Sequence, residues 1–130
     1  MEWIYEILES LFGIGETEVV FDPKTGWPSN VLPDIKRKIT RIINDEGYDE
    51  IYIGRSSYPT RRINKHRTDK GNFKKALIVY KTQSQEHAQE VERSLIKHYL
   101  KADNVEVLNQ SEDSRGNIGE PPYYVYVVLR

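Results

Sequence analysis

Residues 50–66 read Glu50-Ile51-Tyr52-Ile53-Gly54-Arg55-Ser56-Ser57-Tyr58-Pro59-Thr60-Arg61-Arg62-Ile63-Asn64-Lys65-His66. Residues 50–53 make a short strand of β-branched and aromatic residues, and Gly54 ends it by letting the chain turn. Pro59 suits the first turn of a helix, so the residues after it predict a short basic helix with Ile63 as its one clear core residue. Downstream, residues 76–82 are a buried-looking strand, and Ser84 can cap a long helix. A short strand at 105–108, a polar loop at 109–120 and a strong strand at 123–129 follow. Upstream, Ile35, Ile39, Ile42 and Ile43 fall at helical spacing between Pro33 and Gly47. A turn-rich loop over 22–30 and a strand over 17–21 precede that helix. Residues 2–12 read as an amphipathic helix with an acidic polar face, suited to docking on the body of the protein or on a second copy. The expected architecture is α/β of mixed order (α+β): a small central antiparallel sheet flanked by helices.

At 130 residues the chain is long enough for one domain with short arms. We divide it into an N-terminal extension of residues 1–30, a core of 48–109 and a terminal strand of 121–130 that joins the sheet. Charged residues at 30% against 38% hydrophobic describe a polar globule, not a disordered chain. The absence of cysteine excludes disulfides, thiolate metal sites and thiol catalysis. No apolar run reaches the roughly 20 residues of a membrane span. Acids at Glu2 and Glu6 stand where a signal peptide would carry bases. A soluble cytoplasmic protein without a membrane partner is the expectation.

The net charge of −1 conceals an asymmetry. Residues 1–50 sum to −6, residues 76–130 to −2, and residues 55–75 to +7. Such a block points to a phosphate-bearing partner met by one face, or else to a solvated basic helix. Within it Arg62 and His66 lie four apart and share a helix face just after the strand that carries Tyr52. A guanidinium fork, an imidazole and a phenol suit phosphate chemistry, although a basic helix along a polar groove explains the spacing too.

The long helix holds the second anomaly. Ala88, Val91, Leu95 and Tyr99 form an apolar stripe flanked by Ile96, and Glu92 projects between Tyr99 and Ile96 inside it. An inward carboxylate requires a cation or a dense set of hydrogen bonds. A divalent metal would serve, magnesium or manganese suiting its hard oxygens, and so would a buried bridge to Arg62. His87, Glu90 and His98 read as surface groups.

Taken in order, Tyr52-Ile53-Gly54, Arg62, His66, Ala88, Glu92, Leu95-Ile96, Tyr99 and Leu108-Asn109 resemble the GIY-YIG nuclease domain over residues 48–109. The resemblance implies metal-dependent hydrolysis of a DNA phosphodiester. Glu92 would hold one magnesium or manganese ion, and Arg62 would offset charge on the transition state. A tyrosine would orient or deprotonate the attacking water, with His66 as proton relay or phosphate contact. Arg55, Arg61, Lys65, Arg67 and Lys70 would grip the DNA backbone, and Asn109 would position the strand beside the site on the nucleic-acid side. The family's Gly-Ile-Tyr strand has no counterpart in its usual window, and Tyr58-Pro59 replaces the usual pair before the helix. The missing strand has two candidate replacements: residues 17–21, where Phe21 lacks a hydroxyl, and the C-terminal strand, whose Tyr124 and Tyr126 face away from Val125 and Val127. We therefore expect Tyr124 or Tyr126 near Tyr52. Besides the endonuclease, the sequence admits a non-catalytic nucleic-acid-binding module and a protein-interaction domain, with the N-terminal helix as a homodimer contact.

Overall fold

The computed structural model describes residues 17–70, 73–109 and 119–130, the side chains of 67–70 excepted. In chain order the elements are β1 (Glu18–Lys24), α1 (Pro28–Glu46), β2 (Glu50–Ser56), α2 (Pro59–Lys70), β3 (Lys75–Thr82), α3 (Gln85–Leu100), β4 (Glu106–Val107) and β5 (Tyr123–Leu129). The five strands form one sheet in the order β1-β3-β5-β2-β4. The fold is mixed α/β, as the sequence predicts. Its central trio is antiparallel, β5 lying between β3 and β2. The outer pairs correct the expectation, because β1 runs parallel to β3 and β4 parallel to β2. The N-terminal helix expected over 2–12, its dimer contact and most of the polar loop lie outside the described residues.

Apolar periodicity decides which helix covers which face. Leu32, Ile35, Ile39 and Ile43 of α1 and Val91, Leu95, Ile96 and Tyr99 of α3 pack on Ile51, Ile53, Leu77, Val79, Val125 and Val127. Each such aliphatic side chain, fully buried, contributes about 1.5–3 kcal/mol. The opposite face carries Ala76, Ile78, Tyr126 and Val128, covered by Ile63 of α2 and by Phe73. The result is three layers, with two helices below the sheet and one above.

Two local expectations change. Helix α1 begins at Pro28, not Pro33, since a proline at the first helical position needs no amide hydrogen. Pro33 then lies inside the helix, on its exposed side, where water can reach the carbonyl that loses its bond. Gly47 closes the helix as expected, in a left-handed conformation (φ 76°) with its N–H on the Ile43 carbonyl at 2.9 Å. Strand β2 does not end at Gly54 but continues to Ser56. The turn comes afterwards, where Ser56 Oγ accepts the Tyr58 N–H at 2.9 Å and the Tyr58 carbonyl accepts the Arg62 N–H at 3.1 Å. Among the described residues no helix is long and apolar enough to cross a membrane.

Candidate active site

Strand alternation sorts the candidate residues between the two faces. On β2, Tyr52 packs on the α2 side while Ile51 and Ile53 pack on the α1/α3 side. On β5, Tyr126 packs on the α2 side and Val125 and Val127 on the other. The register sets Tyr126 opposite Gly54 and Val128 opposite Tyr52. The C-terminal strand thus enters the sheet beside the Tyr-Ile-Gly strand and presents its phenol there, the arrangement expected of a replacement strand. The other candidate, residues 17–21, contributes to the edge strand β1 and is not that neighbour.

Gly54 explains how a tyrosine fits at this point. A Cβ built on Gly54 would overlap the phenol of Tyr126, with ring carbon Cε1 at 3.0 Å. The glycine serves as the socket for the ring, a role that its turn-forming reputation hid.

Above the sheet, Pro59, Ile63 and His66 of α2 are buried along one stripe. His66 Nε2 lies 2.8 Å from Tyr126 Oη, and its ring centroid lies 4.4 Å from that of Tyr52. Arg62, one turn earlier on α2, is half-buried, and its charge acts on the Tyr126 hydroxyl. Tyr52, Arg62, His66 and Tyr126 therefore converge on one face. Burial pushes the Tyr126 pKa well above the ordinary phenol value; the Tyr52 and Glu92 charges add to the rise and Arg62 opposes it. Tyr52 is raised by burial first and by Glu92 second, again against Arg62. Both groups are phenols, not phenolates, at neutral pH.

Glu92 lies on α3, below the sheet, and is fully buried as its place in the apolar stripe predicts. Its partner is not Arg62. Alternation along Ile51-Ile53-Arg55 points Arg55 downward as well, and Arg55 Nε donates to Glu92 Oε1 at 3.1 Å. Arg55 is 7% exposed, which removes it from the residues proposed to grip DNA. Lys75, at the other end of the basic block, is likewise buried and paired, with Nζ 2.8 Å from Glu46 Oε2 and 3.3 Å from Glu18 Oε2. The outward positive charge rests on α2: Arg61 and Lys65 are exposed there. Arg67 and Lys70 belong to the same helix, with side chains outside the description.

Glu92 is the carboxylate at which the resemblance would place a divalent ion. The carboxylate is enclosed, and the Arg55 guanidinium already meets its charge through Oε1. Among the described residues no group of three or more His, Cys, Asp or Glu side chains converges as ligands. Glu92 with Arg55 against it does not by itself make a metal site.

Asn109 is a clamp on β2, the positioning role expected of it. Its Oδ1 accepts the Ile53 N–H at 3.0 Å and its Nδ2 donates to the Ile53 carbonyl at 2.7 Å. That double bond extends the ladder begun by Leu108 N–H on the Ile51 carbonyl at 2.8 Å. Tyr124 stays on the α2 side but sits with Phe21, ring centroids 5.8 Å apart, and not in the Tyr126 cluster. Sequence reasoning missed the roles of Arg55, Gly54 and Phe21. The alternation of Ile51, Ile53 and Arg55 was the available signal for the first.

No family model, curated protein or solved structure matches this chain.

Proposed function

We propose that this chain binds DNA on its α2 face and hydrolyses a phosphodiester bond there. One observation carries the reading: a guanidinium, an imidazole and two phenols from α2, β2 and β5 meet at one place beside an exposed basic helix. Arg62 supplies a fork of donors to the phosphate and offsets charge as it develops. Tyr126 is 1% exposed and holds His66 Nε2 from beneath; the attacking water, met by half-buried Tyr52, gives its proton to the imidazole, which later releases it to solvent. The resulting hydroxide attacks phosphorus, the ester P–O bond breaks, and the leaving oxygen takes a proton from solvent. Tyr52, its ring tilted at 52° against that of His66, holds the imidazole and can orient the water.

A second reading, binding without cleavage, is favoured by one observation: Arg55 closes off Glu92, the carboxylate that the resemblance would give to an ion. Incubation of supercoiled plasmid and duplex oligonucleotides with the protein, with and without magnesium or manganese, separates the two. The expected result is cleavage, lowered by about 10²–10⁴ in kcat/KM for Tyr126→Phe or His66→Ala with the fold intact by circular dichroism. Salt-dependent binding, with a slope of roughly −0.9 per phosphate contact, but no cleavage under any condition establishes the second reading. Absence of binding at low salt refutes both.

A further inference from the structure

The α2 face carries rings that the proposed reaction leaves unused. Phe21 on β1 is 58% exposed and Tyr58, just before α2, is 55% exposed. Tyr124 of β5 lies between them across the sheet: its ring is 5.8 Å from Phe21, and its register partner on β2 is Ser56, two residues before Tyr58. Cations accompany the rings. Lys81 Nζ stands 5.9 Å from the Tyr124 centroid, and Arg61 Cζ stands 5.0 Å from that of Tyr58. Tyr124 is one alternation step along β5 from Tyr126, so this row abuts the reacting groups.

From this row we infer a stacking platform for unpaired bases of a DNA strand whose phosphates run to Arg62. Water-exposed rings paired with cations offer what a single strand presents: π faces for its bases and positive charge for its backbone. A duplex hides its base faces inside the stack, so the platform selects DNA that is single-stranded or splayed beside the cleaved bond. This inference rests on the proposed function and narrows its substrate.

The test measures binding of a single strand of about 12 nucleotides carrying 2-aminopurine, beside a duplex of the same sequence, by anisotropy and by quenching of the base analogue. Phe21→Ala and Tyr58→Ala are each expected to weaken single-strand binding by about five- to one-hundredfold and relieve the quenching. Phe21→Tyr, which keeps a ring, restores both. Both positions are exposed, and circular dichroism verifies the fold. If wild type binds both DNAs and the two alanine variants bind the single strand equally well, the platform is refuted and the proposed function stands. If wild type binds neither DNA at low salt, the proposed function fails and takes the platform with it. If Phe21→Ala instead abolishes self-association in sedimentation while single-strand affinity is unchanged, the rings serve a second copy of the chain and the inference is wrong.

Discussion

The Arg55–Glu92 pair joins β2 to α3 in the interior, and removing one member leaves a buried charge facing apolar side chains. Breaking such a pair costs about 3–5 kcal/mol, because the remaining ion keeps its desolvation penalty without its partner. Against a typical domain stability of about 5–15 kcal/mol, that loss is large. It corresponds to a melting temperature lower by roughly 10–20 °C for a chain of this size. With a urea m-value near 1.5 kcal/mol/M, the midpoint falls by about 2–3 M. We expect Arg55→Met and Glu92→Leu each to show that loss. Glu92→Gln should lose less, since its amide oxygen can still accept from Arg55 Nε. The double variant Arg55→Met/Glu92→Leu should regain most of the stability, as apolar pairs of similar volume commonly replace buried ions without loss. The assay is equilibrium urea unfolding followed by circular dichroism, with m-values compared so that a change in midpoint reports stability. Single variants within about 0.5 kcal/mol of wild type, or a double variant as damaged as the sum of the singles, would refute an interior, coupled pair.

Three further outcomes are expected. Gly54→Ala places a methyl group in the Tyr126 ring and should destabilise the fold by about 1–3 kcal/mol in urea unfolding; Gly54→Ala/Tyr126→Ala should recover part of this, and independent effects would discredit the socket. Asn109→Leu strips two bonds from the Ile53 peptide group, so hydrogen exchange at the Ile53 amide should accelerate and stability fall by about 1–3 kcal/mol, whereas unchanged protection would exclude the clamp. The Lys75 hydrogen bond holds the Glu46 carboxyl below its ordinary value of 4.5, so its contribution is present above that value and is lost as pH falls through the lowered pKa. Melting temperature should therefore drop on acidification in that range, and Glu46→Gln should flatten the drop; identical pH profiles for the two proteins would count against the bridge.

Much of the architecture was legible in residue spacing. The steps between Ala88, Val91, Leu95 and Tyr99 place Glu92 inside before any neighbour is known, and the structure buries it there. Strict alternation from Tyr124 to Val127 separates phenols from core valines, and the structure keeps that separation. What spacing could not supply was the identity of cross-chain partners. Arg62 and Arg55 are both near in sequence, and only the strand lying over α3 decides that Arg55 meets Glu92. Gly54 read as a stop because glycine favours turns; its purpose depends on a ring arriving from β5. The parallel outer strands arise from pairings between segments far apart in the chain, which local pattern does not encode.

The placement of β5 carries a consequence for how the protein is made. It is last of these elements in chain order and middle in space, and β2 and β3 are each bonded to it and not to one another. During synthesis the earlier strands therefore wait, with their inner edges open, until β5 emerges. Such long-range closure slows folding and leaves pairing edges available for aggregation in the meantime. The same strand carries Tyr126, so the sheet and the cluster around His66 are completed in a single event. A nascent chain lacking β5 has the basic helix proposed to attract nucleic acid but not the phenol beside it; on that proposal the ability to bind can precede the groups that act.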